Sequence, residues 1–290
     1  MISSRYFSIQ IFCVFLLFLN LGCEDVVEID VPQTPPRLAI DALIRLDVEE
    51  QATTVRITAS LTSSFFGDLV PADLSAIAII NPNYEASGAE TQALQLFEVA
   101  PGIYEGTKNT DFFTEGELQL AIEHDGNRYL AITSFVPALP IISLEQGDDT
   151  LFSGDETEVE VTFTDDVNRD DFYLIDLDFG DYLVTEDEFY NGQTFKFSYF
   201  YDSNVEVGRE IVISLLGVDE PFYNYMNQLI VQAGGDQGPF QTPSATVRGN
   251  IINVTNIDNV NTFDNVEDTG NFALGYFAVC QTYTESIVIE

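Results

Sequence analysis

Hydrophobic and polar residues alternate along most of this chain, with the two-residue period of a β-strand that buries one face. Between residues 55 and 60, every odd position is apolar and every even position is small or polar. Turn-forming segments such as Asn81-Pro82-Asn83 separate the alternating stretches. Before residue 137 the predicted strands are 38–46, 54–61, 75–80, 93–99, 116–123 and 128–135. This succession of short strands without a convincing helix predicts an immunoglobulin-like β-sandwich over residues 37–137.

A second β-rich domain is predicted over residues 138–290. Pro137 and Pro140 lie at its start, and we place the boundary there because central strands do not tolerate proline. Its strands are predicted at 159–164, 172–179, 195–201, 210–217, 246–254, 273–281 and 285–289, with an acidic connection over 185–193. Asp176 and Asp178 alternate with apolar residues, so both carboxylates are expected to face solvent. The predicted fold is therefore mostly β.

One amphipathic helix is predicted near residues 221–233. Apolar side chains from Phe222 to Ile230 recur every three or four positions and form one stripe. Asp219 suits the N-cap, Pro221 suits the first turn, and two glycines from Gly234 end the pattern. We expect the stripe to pack on the sheet of the second domain.

Aromatic residues are concentrated in the acidic part of the second domain. They are Tyr182, Phe189, Tyr190, Tyr199, Phe200 and Tyr201. Core packing explains such residues in strands, whereas a protein-contact surface is the alternative for tyrosines in loops.

The first residues carry the pattern of a bacterial lipoprotein signal. Arg5 precedes an apolar run that ends at Gly22-Cys23, and a small residue before a cysteine is what lipid attachment requires. The sequence predicts a signal peptide over residues 1–22 and a lipid on Cys23, although Asn20 stands where such signals usually carry leucine. Plain secretion is one alternative. An uncleaved membrane helix is another, but it needs about 20 apolar residues.

Residues 23–36 are predicted to form an acidic tether. Pro32, Pro35 and Pro36 favour an extended, polyproline-like path at about 3.1 Å per residue. Such a tether would lift the folded part of the chain clear of the lipid head groups.

The composition excludes nucleic acid as a partner and indicates how the protein attaches to a membrane. The chain has 48 Asp and Glu against 10 Lys and Arg, for a formal charge of −38. Nucleic acid is excluded as a partner, because phosphate backbones are bound by basic surfaces. Anionic head groups would also repel the protein, so its predicted contact with the membrane is through the N-terminal lipid.

Cysteine placement predicts no disulfide. Cys13 leaves with the signal peptide and Cys23 carries the lipid, so Cys280 has no partner. Cys280 lies in an apolar run and is expected to be a small buried side chain.

A catalytic set is not apparent, and we expect the protein not to be an enzyme. His124 is the sole histidine and stands beside a predicted hairpin turn. The sequence lacks a Gly-x-Ser-x-Gly elbow and the cysteine and histidine clusters of zinc sites. A carbohydrate-active enzyme with paired carboxylates is the one catalytic alternative, since carboxylates are abundant.

Asp166, Asn168 and Asp170 place oxygen ligands at alternate positions, as calcium loops do. The segment departs from an EF-hand, because Asp171 replaces the glycine and Leu177 replaces the final glutamate. Arg169 also opposes a cation. A solvated acidic turn is the main expectation, weak calcium binding is the alternative, and no other cofactor is expected.

Six stretches of the chain follow one another in a characteristic order. They are the acidic start at 23–30, Arg-Leu-Ala-Ile-Asp-Ala-Leu-Ile at 37–44, and the segments 101–104, 129–144, 249–251 and 273–277. In this order they resemble the DUF4249 family of Bacteroidota outer-membrane lipoproteins. The middle of this chain is more acidic, and Ala138 replaces a frequent proline. The resemblance implies an outer-membrane lipoprotein whose relatives are commonly encoded beside TonB-dependent transporters. It also implies that Glu24, Asp25 and Glu28 form a surface-export signal. It brings no established activity.

These observations favour a non-catalytic, surface-exposed lipoprotein that acts as an accessory or ligand-handling partner of a TonB-dependent transporter. An adhesin or structural cell-surface module remains an alternative, as does the carbohydrate-active enzyme.

Overall fold

The computed structural model describes residues 35–63, 68–85, 91–151, 154–201, 205–234, 246–257 and 272–290. The predicted signal peptide, Cys23 and nearly all of the tether lie outside these residues. So do Glu24, Asp25 and Glu28. Within the described ranges, no helix has the length and apolar character needed to cross a membrane.

In the described residues up to 136, the chain forms nine strands and one short helix. The strands are β1 (Leu38–Leu46), β2 (Ala52–Leu61), β3 (Val70–Pro71), β4 (Ala76–Ile80), β5 (Ala93–Gln95), β6 (Phe97–Ala100), β7 (Ile103–Asn109), β8 (Glu117–His124) and β9 (Asn127–Val136). The short helix, Asp111–Thr114, lies between β7 and β8 and contributes two buried phenylalanines to the core.

From residue 141 onward, the part of the chain that the structure describes adds eight strands and the long helix. The strands are β10 (Ile141–Gln146), β11 (Thr157–Thr164), β12 (Phe172–Asp176), β13 (Tyr182–Glu186), β14 (Thr194–Tyr201), β15 (Glu210–Val218), β16 (Ile252–Asn253) and β17 (Leu274–Val288). A 3-10 turn, Asp187–Phe189, follows β13, and the long helix, Glu220–Ala233, follows β15.

Two hydrophobic cores fill the spaces between strand layers. The strand order β5-β4-β8-β9-β17-β1-β2-β7-β6 wraps around the first core, in which Ile40, Ile57 and Leu120 are fully buried. The second core lies between the strands β13-β12-β15-β17 and the separate sheet β10-β11-β14, and includes Phe163 and Ile213. The predicted mostly-β fold, a sandwich followed by a β-rich part with one amphipathic helix, is confirmed.

Strand β17 belongs to both parts. Its first half pairs parallel with β1, and its second half pairs antiparallel with β15. The sequence predicted two strands here, 273–281 and 285–289, and this is wrong because residues 282–284 between them pair in register with β15. Gln281 accepts a hydrogen bond from the Ala138 amide at 3.0 Å, and the Thr284 hydroxyl lies 2.9 Å from that of Ser214.

Three other predicted strands differ in extent. The segment 93–99 is divided into β5 and β6 at Leu96, whose amide donates to the Ile77 carbonyl. The segment 246–254 contains only the two residues of β16. Strand β12 ends at Asp176, because Asp178 and Phe179 have φ of 67° and 53°. Strands β3, β7, β10 and β13 had not been predicted.

The division at residue 137 stays a prediction. Residues Pro36–Glu290 form one compact unit. Ile251, Ala273, Phe277 and Val279, from the far end of the chain, are buried in the first core. The first sandwich is therefore completed by residues assigned from sequence to the second domain.

The long helix begins where the sequence placed it. The Asp219 carboxylate accepts a hydrogen bond from the Phe222 amide at 2.8 Å, and Pro221 occupies the first turn. Burial raises the pKa of the Asp219 carboxyl, and its hydrogen bond to the Phe222 amide opposes that rise. The helix packs on β12 and β13, as predicted, with Phe222 as its buried residue.

Candidate functional site

A groove of about 600 Å³ lies between the long helix and the outer face of β1, β2 and β17. The even-numbered residues of β1 are buried in the first core, which leaves Ala39, Asp41, Leu43 and Arg45 on the outer face. The helix forms the facing wall. Leu174 of β12 and Tyr182 of β13 also line the groove.

Three aromatic rings pack where the helix meets β17. The ring centroid of Tyr276 lies 4.8 Å from that of Phe222 and 5.0 Å from that of Tyr225. Phe222 and Tyr276 are buried, whereas Tyr225 is half-buried. Burial raises the pKa of both tyrosine hydroxyls, so both are neutral at physiological pH. This cluster packs the helix against the sheet at one wall of the groove.

Arg45 forms an ion pair beside the groove. Its Nη2 atom lies 2.6 Å from Oδ2 of Asp176 at the end of β12. Asp176, predicted to face solvent, is partly exposed and pairs with Arg45, because the parallel pairing of β1 with β17 brings Arg45 to β12. Burial, and then the Asp176 charge, raises the pKa of the neighbouring Tyr182 hydroxyl.

Asp41 lies in the middle of β1, paired in register with Tyr276 on one side and Thr58 on the other. Its side chain is exposed and forms no ion pair with the described residues. After burial, the Asp41 charge is the next cause of the raised pKa of Tyr225. The groove thus combines apolar walls with a few polar groups, the usual make-up of a small-molecule site.

The predicted calcium ligands occupy an exposed turn between β11 and β12. Asp166 Oδ1 accepts hydrogen bonds from the Asn168 amide at 3.0 Å and from its Nδ2 at 2.8 Å, while Asp170 is exposed. Arg169 Nε lies 3.7 Å from Asp166 Oδ2. The described residues contain no group of three or more His, Cys, Asp or Glu side chains able to hold a metal. Calcium binding by this turn stays a prediction.

A buried polar network lies beneath the same turn. The Tyr173 hydroxyl donates to Asp165 Oδ1 at 2.7 Å and is 3.2 Å from Asp171 Oδ2. Arg169 Nη2 pairs with that Asp171 oxygen at 3.0 Å. The Asp171 amide donates to Asp187 Oδ2 at 2.9 Å, which ties the turn to the 3-10 segment. Burial raises the pKa of Asp171, and Arg169 opposes that rise.

The structure also describes the other residues that the sequence singled out. Cys280 is buried and free, and burial raises the pKa of its thiol, so it is unreactive. His124 Nδ1 lies 2.8 Å from the Asp73 carbonyl oxygen. Tyr190 and Tyr201 are core residues, whereas Phe189 is 85% exposed.

No sequence pattern indicated the groove directly. Its helix wall follows from the predicted stripe, and Tyr182 stood out as an aromatic residue. Asp41 and Arg45 had appeared only as polar positions of the first strand. Their place in a groove depends on the pairing of β1 with β17, which no local pattern reveals.

Comparison with known proteins identifies a family. The sequence model of the family described as domain of unknown function (DUF4249) matches residues 24–286. No curated protein matches the chain. Among solved structures, bovine butyrophilin is 13% identical, with 63% of this chain and 92% of the butyrophilin chain covered, at a TM-score of 0.20.

Proposed function

The chain belongs to the DUF4249 family, and on that premise we propose that it is a lipid-anchored, non-catalytic binding protein of the bacterial outer membrane. In this proposal Cys23 carries the lipid and the acidic tether holds the β-rich body away from the membrane. Glu24, Asp25 and Glu28 direct the protein to the cell surface. The body then hands a ligand to a TonB-dependent transporter.

The groove beside the long helix is the observation that supports the proposed ligand-handling role. Its volume of about 600 Å³ suits a small molecule. Its walls are apolar, and its charged groups are Asp41 and the paired Arg45. Such a site can hold and orient a ligand. The described side chains that line this groove include no histidine, cysteine or lysine, and this supports a binding role over a catalytic one.

The charge of the chain supports attachment through lipid. A net charge of −38 repels anionic head groups, so stable attachment requires acyl chains. The Gly22-Cys23 pair supplies the position at which they would be attached.

Purification of the tagged protein from solubilised outer membranes tests the proposal. We expect a TonB-dependent transporter to be recovered with it under conditions that induce both proteins. The Cys23→Ala variant is the control, and we expect it in the soluble periplasmic fraction without a transporter. Recovery of the wild-type protein alone would contradict the accessory role. A normal rate of ligand uptake through that transporter, in a strain that lacks this protein, would instead favour an adhesin or structural module.

A further inference from the structure

The groove carries one uncompensated charge. Arg45 and Asp176 are 2.6 Å apart and cancel each other at its edge. Asp41 forms no ion pair with any described residue and is exposed to the groove. The potential around Asp41 is therefore negative, and the net charge of −38 adds to it. A carboxylate-bearing ligand would be repelled here, whereas a cationic ligand would be attracted.

The surroundings of Asp41 suit an ammonium group in particular. Asp41 is paired in register with Tyr276, and the rings of Phe222 and Tyr225 pack against that tyrosine. Aromatic rings have negative faces that attract cations, most strongly where water is partly excluded. Of these three rings, Phe222 and Tyr276 are buried and Tyr225 is half-buried, so an ammonium group would contact the Asp41 carboxylate, with the Tyr225 ring lining the same groove.

Much of the rest of the groove is apolar. Met226 and Leu229 of the long helix and Leu274 of β17 are among its lining residues. Burying apolar ligand surface here would contribute about 25 cal/mol per Å² to the free energy of binding, before the entropy lost on association is subtracted. The polar and apolar parts are adjacent within one cavity of about 600 Å³.

We propose that the groove binds small amphipathic cations, with the ammonium group at Asp41 and the apolar body along Met226, Leu229 and Leu274. This inference rests on the proposed ligand-handling role and names the chemical class of the ligand. Asp41 selects the charge, and the helix wall provides most of the contact area.

Titration calorimetry with three matched probes tests this assignment. The probes are 4-phenylbutylamine, 4-phenylbutanol and 4-phenylbutanoate, which share an apolar body and differ in charge. The full chain with Cys23→Ala is used, so that no detergent competes for the groove. We expect the amine to bind about three- to tenfold more tightly than the alcohol, and the acid to bind most weakly. The preference should decrease at high salt, because Asp41 is exposed.

Two substitutions at Asp41 and one control localise the effect. In Asp41→Asn the amine and the alcohol should bind within about twofold of each other, and in Asp41→Lys the acid should bind more tightly than the amine. Asp148→Asn removes an exposed carboxylate outside the groove lining and should leave the preference unchanged. Thermal unfolding establishes that each variant is folded.

Three results would overturn the inference. The first is binding of the alcohol or the acid that is as tight as, or tighter than, binding of the amine. The second is loss of the preference for the amine in Asp148→Asn. The third is absence of amine binding at about 1 mM, a dissociation constant that corresponds to a binding free energy of only about 4 kcal/mol. None of these results decides the proposed function, because co-purification with a transporter is measured independently.

Discussion

Replacing Gly275 with alanine is expected to lower the free energy of unfolding by about 4 kcal/mol or to prevent folding. Gly275 has φ of 96°, which side-chain-bearing residues rarely adopt. A Cβ atom there would overlap the carbonyl oxygen of Ile40. Relief would require β17 to move away from β1, and these two strands contribute to the first core and to the groove floor.

Gly126 provides a matched control for this substitution. It also has a positive φ, 74°, but a Cβ there would meet no atom within 4 Å. Gly126→Ala should therefore cost only about 1 kcal/mol, from backbone conformation alone. Urea unfolding measures both variants. Similar losses for the two would show that the close contact between β1 and β17 is not what requires glycine.

Replacing Arg169 with methionine is the second large expected effect, a loss of about 2 to 3 kcal/mol at neutral pH. The substitution keeps an unbranched side chain but removes the guanidinium that pairs with Asp171. The Asp171 side chain is only 7% exposed, so its charge would be left uncompensated beside Asp165. Removing one partner of a buried pair costs far more than removing an exposed pair.

Arg56→Met is the matched control. Arg56 lies 2.6 Å from Glu105, but its side chain is 66% exposed. Its loss should cost less than about 1 kcal/mol. Equal effects of the two substitutions, measured by urea unfolding, would contradict the assigned role of the Arg169–Asp171 pair.

The free energy of unfolding that is lost in Arg169→Met should depend on pH. Burial places the pKa of folded Asp171 above its ordinary value of 3.8, and Arg169 holds that pKa down. A raised carboxyl pKa means that the folded state binds the proton more tightly. The stability from that proton is complete below the unfolded pKa and is lost as pH rises through the folded pKa. Removing Arg169 raises the folded pKa further. The deficit should therefore shrink as pH falls from about 7 to about 4.

The local features of this fold could be predicted from sequence, because they depend on neighbouring residues. Alternating side chains located β1, β2 and β9, and the cap at Asp219 located the long helix. Strand β17 is predicted as two strands, 273–281 and 285–289, whereas residues 282–284 between them pair with β15. The hydrogen-bond partners of Gln281 and Thr284, Ala138 and Ser214, are distant in sequence. The local pattern does not indicate these long-range contacts.

The candidate site was beyond prediction for the same reason. Asp41 and Arg45 alternate with buried residues and have the appearance of an ordinary solvent-facing edge. They face a groove because β17 returns beside β1 and places the long helix over this face. The predicted calcium turn, by contrast, was recognised from its local sequence. In the structure Asp166 and Asn168 hydrogen-bond to each other, and Arg169 supplies a positive charge among the carboxylates.

Mass spectrometry of the mature amino terminus tests the central claim most directly. Protein isolated from outer membranes should begin at Cys23, with the mass of that residue increased by a diacylglycerol and an N-acyl chain. An unmodified cysteine, or a mature chain that begins elsewhere, would contradict the account of a lipid-anchored binding protein.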